Sequence, residues 1–88
     1  MEILKTIAID IKHKVFDNET EAIMYITKDI YSDTFIVSVP VYTFSFDIHQ
    51  GDEDRDYKEI YKKFPIDNSD QKERLVNTIK EGVELLKG

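Results

Sequence analysis

The hydrophobic period of this chain changes once, near residue 50, and the change divides it into a strand half and a helix half. Before that point apolar residues recur at every second position, the spacing at which side chains leave alternate faces of a strand. Beyond it they recur at three and four, the spacing of one helix face. A chain patterned in this way is expected to lay its helices, which come last, over one face of a sheet made by the first half.

Within residues 3–16 the odd positions Ile3, Ile7, Ile9, Ile11 and Val15 alternate with Thr6, Asp10, Lys12 and Lys14, which predicts a first, half-buried strand. Asp17-Asn18-Glu19-Thr20 supplies turn chemistry, and residues 21–31 then alternate with Ala22, Met24, Ile26 and Ile30 apolar, predicting a second. A loop centred on Asn18-Glu19 sets Val15 opposite Ala22, Ile11 opposite Ile26 and Ile7 opposite Ile30. Both apolar sets then share one face, and a slip of one residue would send one of them into water. In that register Lys28 falls opposite Ile9 on the apolar face, where its stem packs while the ammonium reaches the edge.

Ser32-Asp33-Thr34 marks another turn, and residues 35–48 form a third β run whose phase is broken. Phe35, Val37 and Val39 are odd; Tyr42, Phe44, Phe46 and Ile48, after Pro40, are even. Because proline donates no ladder bond and a bulge shifts phase by one residue, the pattern predicts a β-bulge near Pro40 on an edge strand. Tyr57, Ile60, Tyr61 and Phe64 predict a short helix that Pro65 ends. A second helix is expected from Asn68, with Gln71 completing a capping box, burying Leu75, Val76, Ile79, Val83 and Leu86 and closing at Gly88. Gly82 within it costs about 1 kcal/mol relative to Ala, which close packing on the sheet would offset. The expected fold is therefore α+β: a three-stranded antiparallel β-meander with two C-terminal helices packed on one face (β-β-β-α-α), in a single domain over residues 1–88.

At 88 residues with no cysteine, such a domain has neither disulfides nor thiolate metal sites, so packing or self-association must stabilise it. No apolar run approaches the roughly 20 residues of a membrane span. The opening Met1-Glu2-Ile3-Leu4-Lys5 has no basic region followed by a long apolar one, so cytoplasmic placement without a membrane partner is expected.

The densest charge is acidic. Asp47, Asp52, Glu53, Asp54 and Asp56 are interrupted only by Arg55. Asp52, Asp54 and Asp56 imitate the first ligands of a calcium loop, but that loop needs Gly at its sixth position and Glu at its twelfth, where Tyr57 and Lys63 stand. His13 and His49 are the only imidazoles and share no ligand spacing; in the predicted register His13 sits on the apolar face opposite Met24. No serine has a nucleophile-elbow context, and three glycines cannot form a phosphate-cradling loop. These residues predict no catalytic group, no cofactor and no metal.

In an up-down-up meander the first turn and the end of the third strand lie at the same end of the sheet. Asp17, Glu19 and Glu21 should then join Asp47, Asp52, Glu53, Asp54 and Asp56 in an acidic pole. With a net charge of −6 on the whole chain, that pole suits a basic protein partner and disfavours nucleic acid. A second candidate is the other sheet face, where Lys12 pairs with Tyr25, Lys14 pairs with Ile23, and Phe16 and Tyr31 lie toward the ends. Aromatics beside lysines can stack single-stranded bases, and the same face could instead be covered by a second copy in a homodimer.

The chain has 10 Lys against 2 Arg and 12 Ile against 2 Ala, the usage of AT-rich coding DNA. Together with small size, acidity and lack of cysteine, that usage is similar to the composition of many small accessory proteins of phages and mobile elements; the likeness covers no motif. The resulting expectation is a small acidic protein-binding module, a regulator or inhibitor presenting carboxylates to a basic site. A nucleic-acid-associated protein and a homodimeric structural protein stand as the alternatives.

Overall fold

The computed structural model describes residues 4–29 and 31–87, and in it an antiparallel sheet of four strands precedes two helices. Ile3, Ile30 and Gly88, expected in the first strand, opposite Ile7 and at the C-terminal stop, lie outside the described residues. Strand β1 is Leu4–Asp10, α1 is a single helical turn at Ile11–Lys14, and β2 is Ile23–Asp29. They are followed by β3, Thr34–Val39, β4, Phe44–His49, α2, Glu53–Lys63, and α3, Ser69–Lys87. The strands lie side by side in chain order, which makes β1 and β4 the edges.

The α+β class, the antiparallel sheet and the C-terminal helices agree with the pattern; the expected three strands are corrected to four. What was expected to be a bulge at Pro40 is a chain reversal. Pro40–Tyr42 forms a 3-10 turn with proline at its start, where a missing N–H costs nothing. Thr43 follows at φ 52° and donates its N–H to the Pro40 carbonyl at 2.9 Å. The chain then returns with Val39 opposite Phe44, Val37 opposite Phe46 and Phe35 opposite Ile48. Odd positions paired with even ones across a hairpin share a face, so the reversal accounts for the phase change without an extra residue. Strand β3 is therefore internal, and the edge passes to β4.

Strand β1 is shorter than the alternation predicts because Asp10 ends it, its side chain accepting the Lys12 backbone N–H at 2.9 Å as an N-cap. Ile11 and Val15 stand four apart with His13 between them, a spacing that serves a helical turn as well as a strand, and both are fully buried. In the observed register Ile7 faces Ile26, Ile9 faces Met24, Ala8 faces Tyr25 and Asp10 faces Ile23. The expected pairs of Val15 with Ala22 and Ile11 with Ile26 are thereby replaced. The offset is an even number of residues, so no strand residue changes face. Lys28 keeps its predicted side, next to Lys5 and Phe35, with its Nζ 5.9 Å from the Phe35 ring centroid. His13 is instead exposed in α1, and Ile9 occupies the place beside Met24.

Helix α2 buries Tyr57 and Ile60 and ends at Phe64, whose extended ψ of 130° is the conformation that the following Pro65 favours. Asn68 caps α3, its Oδ1 accepting the Gln71 N–H at 3.1 Å, and the predicted Leu75, Val76, Ile79, Val83 and Leu86 are all buried. A Cβ on Gly82 would collide with Cδ1 of Ile26 and lie 3.2 Å from that of Ile9 and 3.3 Å from that of Ile7, so the missing side chain lets α3 settle on β1 and β2. Ile11, Ile26, Ile48, Ile60 and Ile79 have no exposed surface. Each such burial stabilises the fold by about 1.5–3 kcal/mol.

Candidate protein-binding surface

The helices lie on the side of the sheet that carries Ile26, Phe35, Val37 and Ile48, which leaves the opposite side uncovered. Across it, one row reads Ala8, Tyr25, Ser38, Ser45 and the next Thr6, Thr27, Ile36, Asp47. Thr6 and Thr27 share a hydrogen bond at 3.0 Å between their hydroxyls. Ile23 and Tyr25 on β2, and Ile36 diagonally across on β3, retain 49%, 39% and 37% exposure. Val41 in the Pro40 turn retains 51%, and a shallow cavity lined by Glu21, Ala22, Ile23, Tyr25, Pro40 and Val41 connects it to the stripe.

Charge flanks this stripe. Asp10 is the strand partner of Ile23, Asp47 is the partner of Ile36, and Asp29 follows Thr27 on β2. Among the described residues, the strands place no Lys or Arg on this face, since Lys5 and Lys28 project to the helix side with Phe35. The surface can therefore present an apolar diagonal bordered by three carboxylates.

The expected acidic pole is not assembled. The fourth strand runs back, so β4 ends beside the β2–β3 turn, where Gln50 donates its N–H to the Asp33 carbonyl at 3.0 Å. Asp52, Glu53, Asp54 and Asp56 thus sit at one end of the sheet, Asp17, Glu19 and Glu21 at the other, and Asp47 on the uncovered face.

Several of these carboxylates are also engaged internally. Asp17 accepts from Arg74 Nη1 at 2.6 Å, a hydrogen bond that raises the guanidinium pKa, helped by the charges of Asp17 and Asp70. Glu21 pairs with Lys12. Glu53 holds Lys87 Nζ at 2.7 and 2.9 Å, and this hydrogen bonding raises the amine. Buried Asp56 accepts the His49 backbone N–H at 2.8 Å and lies 3.2 Å from His49 Nδ1. Burial opposes its ionisation, but the two His49 contacts and the charges of Arg55 and His49 outweigh it and hold the carboxyl below its ordinary value. In the same helix, burial and then the charge of Glu53 push the Tyr57 hydroxyl up to about 12. Asp52 lies 3.6 Å from Arg55, while Glu19, Asp47 and Asp54 are exposed.

The residues of the second candidate are also separated. Lys12 and Lys14 belong to α1 rather than to β1, and Lys14 Nζ is 3.8 Å from Glu81 of α3, on the helix side. Ala8 and Asp10 take the expected places of Lys12 and Lys14 beside Tyr25 and Ile23. Phe16 is buried, and Tyr31 is exposed in the β2–β3 turn. Sequence reasoning missed Ile36 and Val41. Ile36 is hidden between Phe35 and Val37, where only strict alternation shows that it points away from the core.

Among the described residues no group of three or more His, Asp or Glu side chains is placed to hold a metal ion, and no helix is long and apolar enough to cross a membrane. Among known proteins, no family, no curated sequence and no solved structure matches this chain.

Proposed function

We propose that this chain is a non-catalytic, cytoplasmic protein-binding module that receives a basic protein partner on the uncovered face of its sheet and regulates or inhibits that partner by occupying its basic site. The observation that carries this reading is the exposed diagonal of Ile23, Tyr25 and Ile36, bordered by Asp10, Asp29 and Asp47 with no lysine or arginine on the same face among the described strand residues. Contiguous exposed apolar groups rimmed by polar ones mark interaction surfaces, and a one-signed rim selects the opposite sign in the partner. Exposed Glu19, Asp52 and Asp54 add long-range attraction from the two ends of the sheet.

The same rim argues against the two alternatives. Stacking this face on that of a second copy would bring two aspartate-bordered surfaces together with no Lys or Arg from their described strand residues to separate them, and a phosphate backbone would meet the same repulsion.

The test is retention of proteins from the native host's lysate by the immobilised chain, compared with an Ile36→Lys variant and an Asp52→Lys/Asp54→Lys variant, both first shown to melt like the wild type. A basic protein should be held by the wild type and the loop variant, elute as salt rises, and be lost with Ile36→Lys. Loss on the loop variant alone would move the site to the start of α2. Failure of the wild type to hold any basic protein would reject the reading.

A further inference from the structure

Resting on that docking face, we infer that its occupant is an amphipathic helix of the partner whose apolar stripe is flanked on both sides by Lys or Arg. The stripe on this protein does not follow one strand. It steps from Ile23 to Tyr25 along β2 and then crosses to Ile36 on β3, with Asp10 on the β1 side at one end and Asp47 on the β4 side at the other. Both β2 and β3 are paired on each side, so no free backbone edge borders the diagonal.

A ligand lying there is held by side chains alone. An extended peptide would leave its own N–H and C=O groups unpaired against Ile23, Tyr25 and Ile36, whereas a helix has already satisfied them internally. Size agrees with this. Two residues of strand and one diagonal step span about 14 Å, close to three turns of helix, with Val41 beyond Ile23 to receive a further side chain. A helix about 10 Å across, centred on the stripe, carries basic side chains outward on both flanks toward Asp10 and Asp47.

The inference is tested with two synthetic peptides of about 14 residues and equal Leu and Lys content, one with Leu at i, i+3, i+4 and i+7, the other with Leu and Lys alternating. Fluorescence anisotropy of labelled peptides gives affinity, and circular dichroism reports helix formed on binding. The helical pattern should bind at least about tenfold more tightly and gain helical signal, and Ile36→Asp should weaken it by a similar factor. Asp10→Asn/Asp47→Asn, in which the amide oxygen introduced at position 10 can still cap α1, should weaken it and flatten its salt dependence more than Asp52→Asn/Asp54→Asn, which removes the same charge from positions that contribute only long-range attraction. Equal binding of the two peptides, or indifference to Ile36→Asp, overturns the helical occupant. If the lysate partner is meanwhile lost on Ile36→Lys, the docking face stands and only the shape of its ligand is wrong; if neither experiment responds at Ile36, both readings fall.

Discussion

Val39 lies directly opposite Phe44, with the chain reversing through Pro40, Val41, Tyr42 and Thr43. This contact sets the end of the molecule. It brings Phe44 edge-on to Phe64 at 5.2 Å between centroids and seats Tyr42 between Phe64 at 5.3 Å and Phe16 at 5.8 Å. One aromatic cluster thus ties the β1–β2 connection, the hairpin and the end of α2 together. The same reversal adds the edge strand that places Asp47 beside Ile36.

Thr43 holds φ at 52°, a left-handed conformation that a β-branched residue adopts at a cost. Thr43→Gly is expected to stabilise the protein by on the order of 1 kcal/mol in urea melts. A loss of stability would mean that the Thr43 side chain contributes more than its backbone costs.

The cap of α3 is a single hydrogen bond, from the Gln71 N–H to Asn68 Oδ1 at 3.1 Å. Asn68→Ala should cost about 0.5–2 kcal/mol and Asn68→Asp much less, because aspartate offers the same acceptor. Equal midpoints for all three proteins would reject the capping role, while the helix itself would persist on its buried stripe.

Asp56 predicts a pH dependence with a definite sign. Its carboxyl is depressed in the folded state, so its contribution is complete above the unfolded value near about 4 and is lost as pH falls through the lower folded value. The stability advantage of wild type over Asp56→Asn, present at neutral pH, should therefore shrink as the pH is lowered below about 4. An advantage that stays constant across this range in parallel denaturant titrations would show that the carboxylate charge is not what His49 and Arg55 hold.

Gly82 is set by steric contact with three isoleucine methyls. Gly82→Ala gains up to about 1 kcal/mol of helix propensity but pushes on Cδ1 of Ile26, so a net loss of thermal stability is expected. Ile26→Val removes that methyl. The double variant should be more stable than the sum of the two single changes predicts, and strict additivity would place the crowding elsewhere.

How far the sequence could be read depended on whether a signal was local. The i, i+3, i+4 stripes of α2 and α3, the Asn68 cap and the stop at Pro65 each depend on neighbours within one or two turns, and each is present in the structure. The side of each strand residue was also legible, because period-two alternation survives any even slip in register. The register itself was not. Ile11 and Val15 satisfy strand and helical spacing alike, and the Asp10 cap decided between them. Ile23 with Ile36, by contrast, became one surface only through pairing across strands.

Composition and short-range periodicity are enough to specify the α+β class, the order of strands before helices, most of the core and the negative charge. That Pro40 marks a reversal rather than a bulge emerges only in the folded chain, because both shift the phase by one and differ only in whether Phe44 finds Val39 across a hairpin. That one choice separated the two groups of carboxylates to opposite ends of the sheet and left Ile23, Tyr25 and Ile36 together between aspartates. Which residues end up adjacent depends on strand direction, a property of the whole chain that no local pattern contains.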